Sequence, residues 1–314
     1  MDLSLVIPCF NESENVAVFY DTVENCFADN GFSYELVFVN DGSSDNTLCN
    51  LKDLAKNRNT KMQIISFSRN FGKESAIYAG LTHAKGDMVC VIDADLQQRP
   101  EVVLQMKAIL DSKPEVDCVA AFQAKRREGK VLSSLKSCFY RIINKVSDVD
   151  FVNGASDFRL MRRGMVNAIL RMTEYHRFSK GIFSWVGFNT EHIAYEVQPR
   201  NHGETKWNFF KLFKYAIDGI VAFSTAPLKM ATFIGFLSAI LSIIYLVFVV
   251  IQKLFFGIAV PGYATIVVLL LLLGGLILFC LGIIGEYLSK IYVQVKNRPI
   301  YIEKEHITNF EDEK

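Results

Sequence analysis

The chain's seven cysteines form no C-x-x-C pair, which removes the paired-cysteine redox and zinc sites from consideration. Cys9, Cys26, Cys49, Cys90, Cys118, Cys138 and Cys280 mostly sit in apolar runs and read as reduced structural thiols. Net charge is nearly absent too: 34 Lys and Arg against 33 Asp and Glu leave +1, so no nucleic-acid partner is expected, although Lys125, Arg126 and Arg127 cluster locally. The opening MDLSLVIPCFNE lacks a basic n-region and meets Pro8 and Glu12 too early for a secretory signal, which predicts that the N-terminal part stays in the cytoplasm. No internal repeat or low-complexity linker breaks the first two thirds, so one cytoplasmic domain is expected over 1–205.

Charge is missing altogether from two later stretches, MATFIGFLSAILSIIYLVFVVI from Met230 to Ile251 and the Leu-, Ile-, Val- and Gly-rich run from Ala264 to Ile284. Each is long enough to cross a hydrocarbon core of about 30 Å as a helix, so transmembrane helices are predicted at about 230–251 and 264–285, within a membrane unit over 229–288. Lys206, Lys211, Lys214 and Lys229 precede the first span and Lys290, Lys296, Arg298 and Lys304 follow the second, whereas the connecting loop carries only Lys253. That asymmetry places both flanks, hence both termini and the 289–314 tail, in the cytoplasm. Between domain and spans, region 206–228 holds Phe209, Phe210, Phe213, Ile217 and Ile220 at helical spacing among lysines, as an interfacial helix would. Leu132, Leu135, Phe139, Ile142 and Val146 form a second apolar stripe, for which an interfacial role is favoured over ordinary core packing.

In the first domain, apolar strand-like runs alternate with amphipathic helical ones. Leu3–Ile7, Tyr34–Val39, Met62–Phe67, Met88–Ile92 and Val116–Ala121 are candidate strands, and Glu14–Ala28, Asp45–Arg58 and Lys73–Ala84 candidate helices. The alternation implies an α/β fold with a largely parallel sheet. Polar residues gather after the strands: Pro8 to Glu12 after the first, Asn40 to Asp45 after the second, and Asp93, Asp95 and Gln97 after the fourth. Each loop alone also reads as an ordinary turn or helix start, since Asp-Gly-Ser-Ser is a good turn and Asp45 a plausible N-cap. Together, on the edge where open α/β sheets bind ligands, they favour a nucleotide site. Two carboxylates at i and i+2 repel unless a cation lies between them, and oxygen ligands suit Mg²⁺ or Mn²⁺ bridging a diphosphate.

The segments VIPCFNE, VNDGSSDNT, SRNFGKESA, DADLQQRPE, ASDFRLMRR and RNHGETKW, in that order and ahead of two spans, resemble the family-2 inverting glycosyltransferases that load a sugar onto polyprenyl phosphate. Within them the chain is more similar to the bactoprenol (undecaprenyl-phosphate) glucosyltransferases than to dolichol-phosphate mannose synthases, and the tail motif YVQVKNRPIYI extends the match to nearly the whole chain. The resemblance implies a GT-A-like (Rossmann-like) domain and a nucleotide-sugar donor, UDP-glucose favoured. It also implies a polyprenyl-phosphate acceptor, a separate flippase, and an inner-membrane location.

By the same resemblance, Pro8, Glu12 and Asp41 hold the nucleoside, and Asp93, Asp95 and Gln97 engage the Mg²⁺ or Mn²⁺. Asp157 takes the position assigned to acceptor activation, although it could equally pair with Arg159 or Arg162. A phosphate monoester has its second pKa near 6 and hardly needs a base, so orientation of the acceptor or stabilisation of a cationic anomeric carbon suits Asp157 as well. Arg200 and Lys206 close over the donor diphosphate, and Arg126 and Lys136 hold the lipid phosphate; a basic surface attracted to anionic lipids is the plainer reading of these cations. The chain departs from the usual D-L-Q-D/H-P pattern by Gln98-Arg99-Pro100, which puts a cation nearby. Other sugar donors, such as GDP-mannose or an aminoarabinose derivative, and a catalytically silent nucleotide-sugar-binding scaffold are the alternatives. The processive-synthase signature Q-x-x-R-W is absent, and Gly274 and Gly275 permit helix contacts without specifying a homo-oligomer.

Overall fold

The computed structural model describes residues 1–123, 155–196, 221, 224–256 and 262–310. Alternating apolar strands and amphipathic helices produce β1 (Leu3–Cys9), α1 (Val16–Phe27), β2 (Tyr34–Asn40), α2 (Thr47–Asn57), β3 (Lys61–Phe67), α3 (Lys73–His83), β4 (Met88–Val91), α4 (Pro100–Ser112) and β5 (Cys118–Gln123). There follow β6 (Ala155–Arg162), α5 (Arg163–Leu170), α6 (Ser179–Trp185), β7 (Thr190–Tyr195), the long helices α7 (Ala226–Phe256) and α8 (Tyr263–Val295), and β8 (Glu303–Thr308). The strands form one sheet in the order β7-β5-β6-β4-β1-β2-β3-β8. β4, β1, β2 and β3 run parallel, β5 pairs parallel with β7, and β6 and β8 pair antiparallel with their neighbours.

Both faces of the central strands are covered, which is why they read as continuous apolar runs. Along β1, Leu3, Leu5 and Ile7 face Phe19, Val23 and Met106 of α1 and α4, whereas Val6 faces Ala76 and Ala79 of α3. α3 lies close because Gly80 has no side chain; a Cβ there would stand 2.2 Å from Val6 Cγ1. Pro100 opens α4 at a position whose N–H has no intrahelical partner.

At the other end of the strands a buried polar knot joins β1, β2, β3 and the α3–β4 turn. Glu35, wholly buried, accepts hydrogen bonds from Ser4 Oγ at 2.6 Å, Gln63 Nε2 at 2.9 Å and the Lys85 N–H at 2.6 Å.

Of the segment read as a tail, Glu303–Thr308 forms the edge strand β8 against β3. Tyr301 stacks on Phe67 with centroids 4.9 Å apart, and Asn309 accepts from the Met62 N–H at 2.7 Å while donating to Thr60 O at 2.8 Å. The charges of β8 suit an exposed edge. α7 and α8 are long and apolar enough to cross a membrane, and their most apolar windows are not buried against protein. At 33 residues, α8 reaches about 50 Å, so it extends beyond a bilayer core. Its last turns touch the domain, where Gln294 accepts from the Tyr175 N–H at 2.9 Å. Tyr287 donates to Ser224 O at 2.6 Å and so ties α8 to the entry of α7. The six described cysteines are all free; Cys138 lies outside the described residues.

Candidate active site

Strands β1 to β4 are parallel and therefore end on one edge of the sheet, while antiparallel β6 begins there. Register places the chemistry: Asp157 lies two residues before the Arg159–Val91 pair and Asp93 two residues after it, so the carboxylates of β4 and β6 emerge side by side.

Two loops are laced together beneath them. Asn11 adopts φ 57° and accepts from the Ser44 N–H at 2.9 Å, while the Glu12 N–H donates to Thr47 Oγ1 at 2.8 Å. Asp45 accepts from the N–H groups of Thr47 at 3.0 Å and Ser13 at 3.1 Å. Burial opposes its charge, but those donors outweigh it and hold the carboxyl below its usual range.

Asp41 is 3% exposed and accepts from the N–H groups of Phe71 at 2.6 Å and Gly72 at 2.9 Å. Burial raises its pKa and those two donors pull it back only in part. Neighbouring Gly42, at φ 62°, lets the backbone approach so closely that a Cβ would meet Arg69 C at 2.4 Å. A carboxylate offers about four lone-pair sites. Asp41 is therefore a structural clasp for the β3–α3 loop that retains capacity for a further donor.

Above the clasp stands a charged cluster. Lys73 Nζ lies 2.6 Å from Asp93 Oδ1 and 3.5 Å from Asp157 Oδ2. Asp93 is braced by Gln98: its N–H donates to Gln98 Oε1 at 2.9 Å, and Gln98 Nε2 donates to Asp93 Oδ2 at 3.1 Å. Asp95 accepts from the Gln97 N–H at 3.1 Å across a turn in which Leu96 is left-handed at φ 59°. Burial works against ionisation of Asp157, but Lys73, then Lys180 and Arg159, hold its carboxyl below the usual range. The ammonium of Lys73 is held up in turn: burial disfavours it, and Asp93 and Asp157 more than offset that.

Behind Asp157, Glu74 accepts hydrogen bonds from the N–H of Ser179 at 2.9 Å and from its hydroxyl. Burial, then the like charge of Asp157, raise Glu74 to about 7. Two neighbouring carboxyls are thus driven apart, one ionised and one holding its proton near neutrality.

Pro8, Glu12, Asp41, Asp93, Asp95, Gln97 and Asp157 all fall on this edge or the loops leaving it. Arg126, Lys136, Arg200 and Lys206, with both interfacial stripes, lie outside the described residues. Arg99 is exposed at the N-cap of α4. Three residues without an assigned role join the site: Lys73, Glu74 and Gln98. The signal for Lys73 and Glu74 was present in SRNFGKESA, whose charged pair opens α3 straight after a strand. The donor set of Asp93, Asp95 and Gln97 is all oxygen and fits a divalent cation. An ammonium already resting on Asp93 Oδ1 shows that positive charge is accommodated there.

The model of glycosyl transferase family 2 matches residues 4–170, more than half of the chain, and that of the GtrB C-terminal hairpin matches 226–291. The chain belongs to glycosyl transferase family 2 and is a glycosyltransferase with a GT-A-like domain and two C-terminal apolar helices. It is 41% identical over 305 residues to a prophage-derived bactoprenol glucosyl transferase of Shigella flexneri, covering 97% of this chain and 98% of that protein. It is likewise 40% identical over 305 residues to a prophage bactoprenol glucosyl transferase homolog of Escherichia coli K12, covering 97% and 99%. Among solved structures, glucosyl-3-phosphoglycerate synthase of Mycobacterium tuberculosis is 16% identical with a TM-score of 0.47, covering 70% of this chain and 78% of that one.

Proposed function

We propose that the protein transfers glucose from UDP-glucose to undecaprenyl phosphate at the cytoplasmic leaflet of the inner membrane, with inversion and with a divalent cation. Near-full-length identity of about 40% to bactoprenol glucosyl transferases carries this reading. The site supports it chemically: carboxylates suited to a cation that would bridge a donor diphosphate share a sheet edge with Asp157, in a chain that continues into two candidate spans.

In this reading Pro8, Glu12 and Asp41 cradle the uridine, Asp41 accepting from a ribose hydroxyl or the uracil N–H with the capacity left by Phe71 and Gly72. Asp93, Asp95 and Gln97 would hold Mg²⁺ or Mn²⁺, which would supply positive charge to offset that of the departing diphosphate. Arg200 and Lys206 close over that diphosphate, and Arg126 and Lys136 hold the acceptor phosphate. A phosphate oxygen attacks the anomeric carbon from the face opposite UDP, so one C–O bond forms as the other breaks and the configuration inverts. The acceptor is largely dianionic near pH 7 and needs no strong base. Asp157, ionised and close to the donor carboxylates, instead steers the acceptor and stabilises positive character at the sugar.

The catalytic domain and both termini face the cytoplasm, the two spans fix the site at the bilayer, and a separate flippase moves the lipid-linked glucose outward for glycosylation such as that of O-antigen. A panel of labelled donors tests the reading with purified protein, undecaprenyl phosphate and Mg²⁺. UDP-glucose is expected to label the lipid at least tenfold better than GDP-mannose or a UDP-aminoarabinose derivative. Preference for another donor would overturn the glucose assignment, and no lipid label from any donor would overturn the enzymatic one.

A further inference from the structure

We propose that Lys73 is a built-in counter-ion of the donor site: it holds Asp93 while no metal is bound, gives up that oxygen to the entering divalent cation, and stays with Asp157. The inference rests on the metal-dependent reading above and concerns how the cation gains its place.

Geometry sets up the exchange. Gln98 Nε2 donates to Asp93 Oδ2, and Lys73 Nζ approaches the other oxygen, Oδ1, to 2.6 Å. A divalent cation on the same oxygen would stand within a few ångströms of an ammonium, and two cations at that separation repel strongly unless one moves. Lys73 has somewhere to go. Asp157 Oδ2 is 3.5 Å away, and Asp157 Oδ1 is buried with no hydrogen-bond partner among the described residues, so the second carboxylate has room for a donor. The Lys73 side chain is 44% exposed, so a swing of its flexible stem between the two carboxylates requires no repacking of the core.

The functional consequence is ordering. Before the donor arrives, Lys73 neutralises Asp93 and keeps the two carboxylate-bearing strand ends together. After the metal-diphosphate enters, the released ammonium adds its charge to the Asp157 side, where an anionic acceptor must approach. Lys73 is in this sense a positioning residue that acts through Asp93 and Asp157.

The test is binding of Mn²⁺ alone to the full-length protein at fixed pH without nucleotide, read as free Mn²⁺ by electron paramagnetic resonance. Lys73→Met should tighten Mn²⁺ binding roughly three- to tenfold, the scale on which a partly exposed charge pair competes. Lys73→Arg should stay within about twofold of wild type. Lys180→Met, which removes another charge near Asp157, should shift binding by less than about twofold. An unchanged or weaker affinity in Lys73→Met, or an equal gain in Lys180→Met, overturns the proposal. Lys73→Gln is measured beside it, and thermal melting reports whether each variant folds. Wild-type protein gives an independent reading: acylation of Lys73, followed by mass spectrometry, should rise at least twofold when Mn²⁺ replaces EDTA, and an unchanged yield refutes displacement. Wild type that binds no Mn²⁺ even with UDP would remove the metal reading together with this one, whereas normal wild-type binding with an unresponsive Lys73 removes only this one.

Discussion

Glu74 offers a pH test of the site's electrostatics that needs no substrate. Its carboxyl is raised from the usual 4.5 to about 7, first by burial and then by the charge of Asp157, with Ser179 and Arg177 pulling back. A raised folded pKa means that the folded protein binds a proton the unfolded chain has already lost. The stabilisation is therefore complete below about pH 4.5 and is lost as pH rises to about 7 and through it. The interval corresponds to roughly 3 kcal/mol as an upper bound. Glu74 keeps partial contact with solvent, so about 2 kcal/mol is the working expectation. Glu74→Gln is neutral throughout and retains an oxygen for the Ser179 N–H. Thermal melting of both proteins in detergent from about pH 5 to about pH 8 should show the wild type falling relative to the variant by roughly 4–8 °C, the shift expected for about 2 kcal/mol in a domain of this size. Parallel melting curves would refute the account, because they would mean that Glu74 titrates alike in folded and unfolded chains.

Other substitutions probe separate parts of the structure. Gly42→Ala would force a Cβ against the Arg69 carbonyl carbon from a left-handed φ of 62°, so the β3–α3 loop should shift and KM for the nucleotide sugar rise about tenfold or more, with a smaller change in kcat. Glu35→Ala would take the acceptor from the buried donors Ser4 Oγ and Gln63 Nε2 and lower stability by about 2–4 kcal/mol in a denaturant titration, leaving specific activity of the folded fraction near wild type. Gln98→Ala would unbrace Asp93 and should weaken Mn²⁺ binding about tenfold, the usual scale for a residue that supports a metal ligand. Truncation after Pro299 would remove Tyr301 from Phe67 and expose the edge of β3, so the truncated protein should melt lower and aggregate faster.

The central sheet was legible because β1, β2 and β3 are buried on both faces, which writes them as unbroken apolar runs. β6, β7 and β8 were not legible for the opposite reason. ASDFRLMR carries three charged residues whose partners are Lys73 at the start of α3 and the backbone carbonyls of Ser156, Leu110 and Val116, and TEHIAY and EKEHIT lie at the two edges of the sheet, where charge is tolerated. The apolar spans announced themselves by composition, but their true lengths did not: α8 runs on to Val295, and its last turn bonds through Gln294 to the Thr173–Tyr175 segment, a contact invisible in hydropathy. In the site, carboxylates at strand ends pointed to cation chemistry, and Asp41, Asp93 and Asp157 do share one edge. That Asp157 belongs beside Asp93 depends on β6 running antiparallel to β4, which spacing alone does not encode. Lys73 escaped notice because its meaning lies in the two carboxylates it meets, one about twenty residues on and the other more than eighty.

If a soluble nucleotide sugar and a membrane-held phosphate meet at the edge formed by Asp93, Asp95 and Asp157, the sugar must pass there from water to lipid. The most direct measurement reconstitutes the purified protein in liposomes with or without undecaprenyl phosphate, adds UDP-[¹⁴C]glucose and Mg²⁺, and follows label into the organic phase. Organic-phase label is expected only when undecaprenyl phosphate is present, with Asp157→Asn reducing the rate at least a hundredfold. Label that stays aqueous in the presence of the lipid, or lipid labelling that Asp157→Asn leaves unchanged, would contradict it.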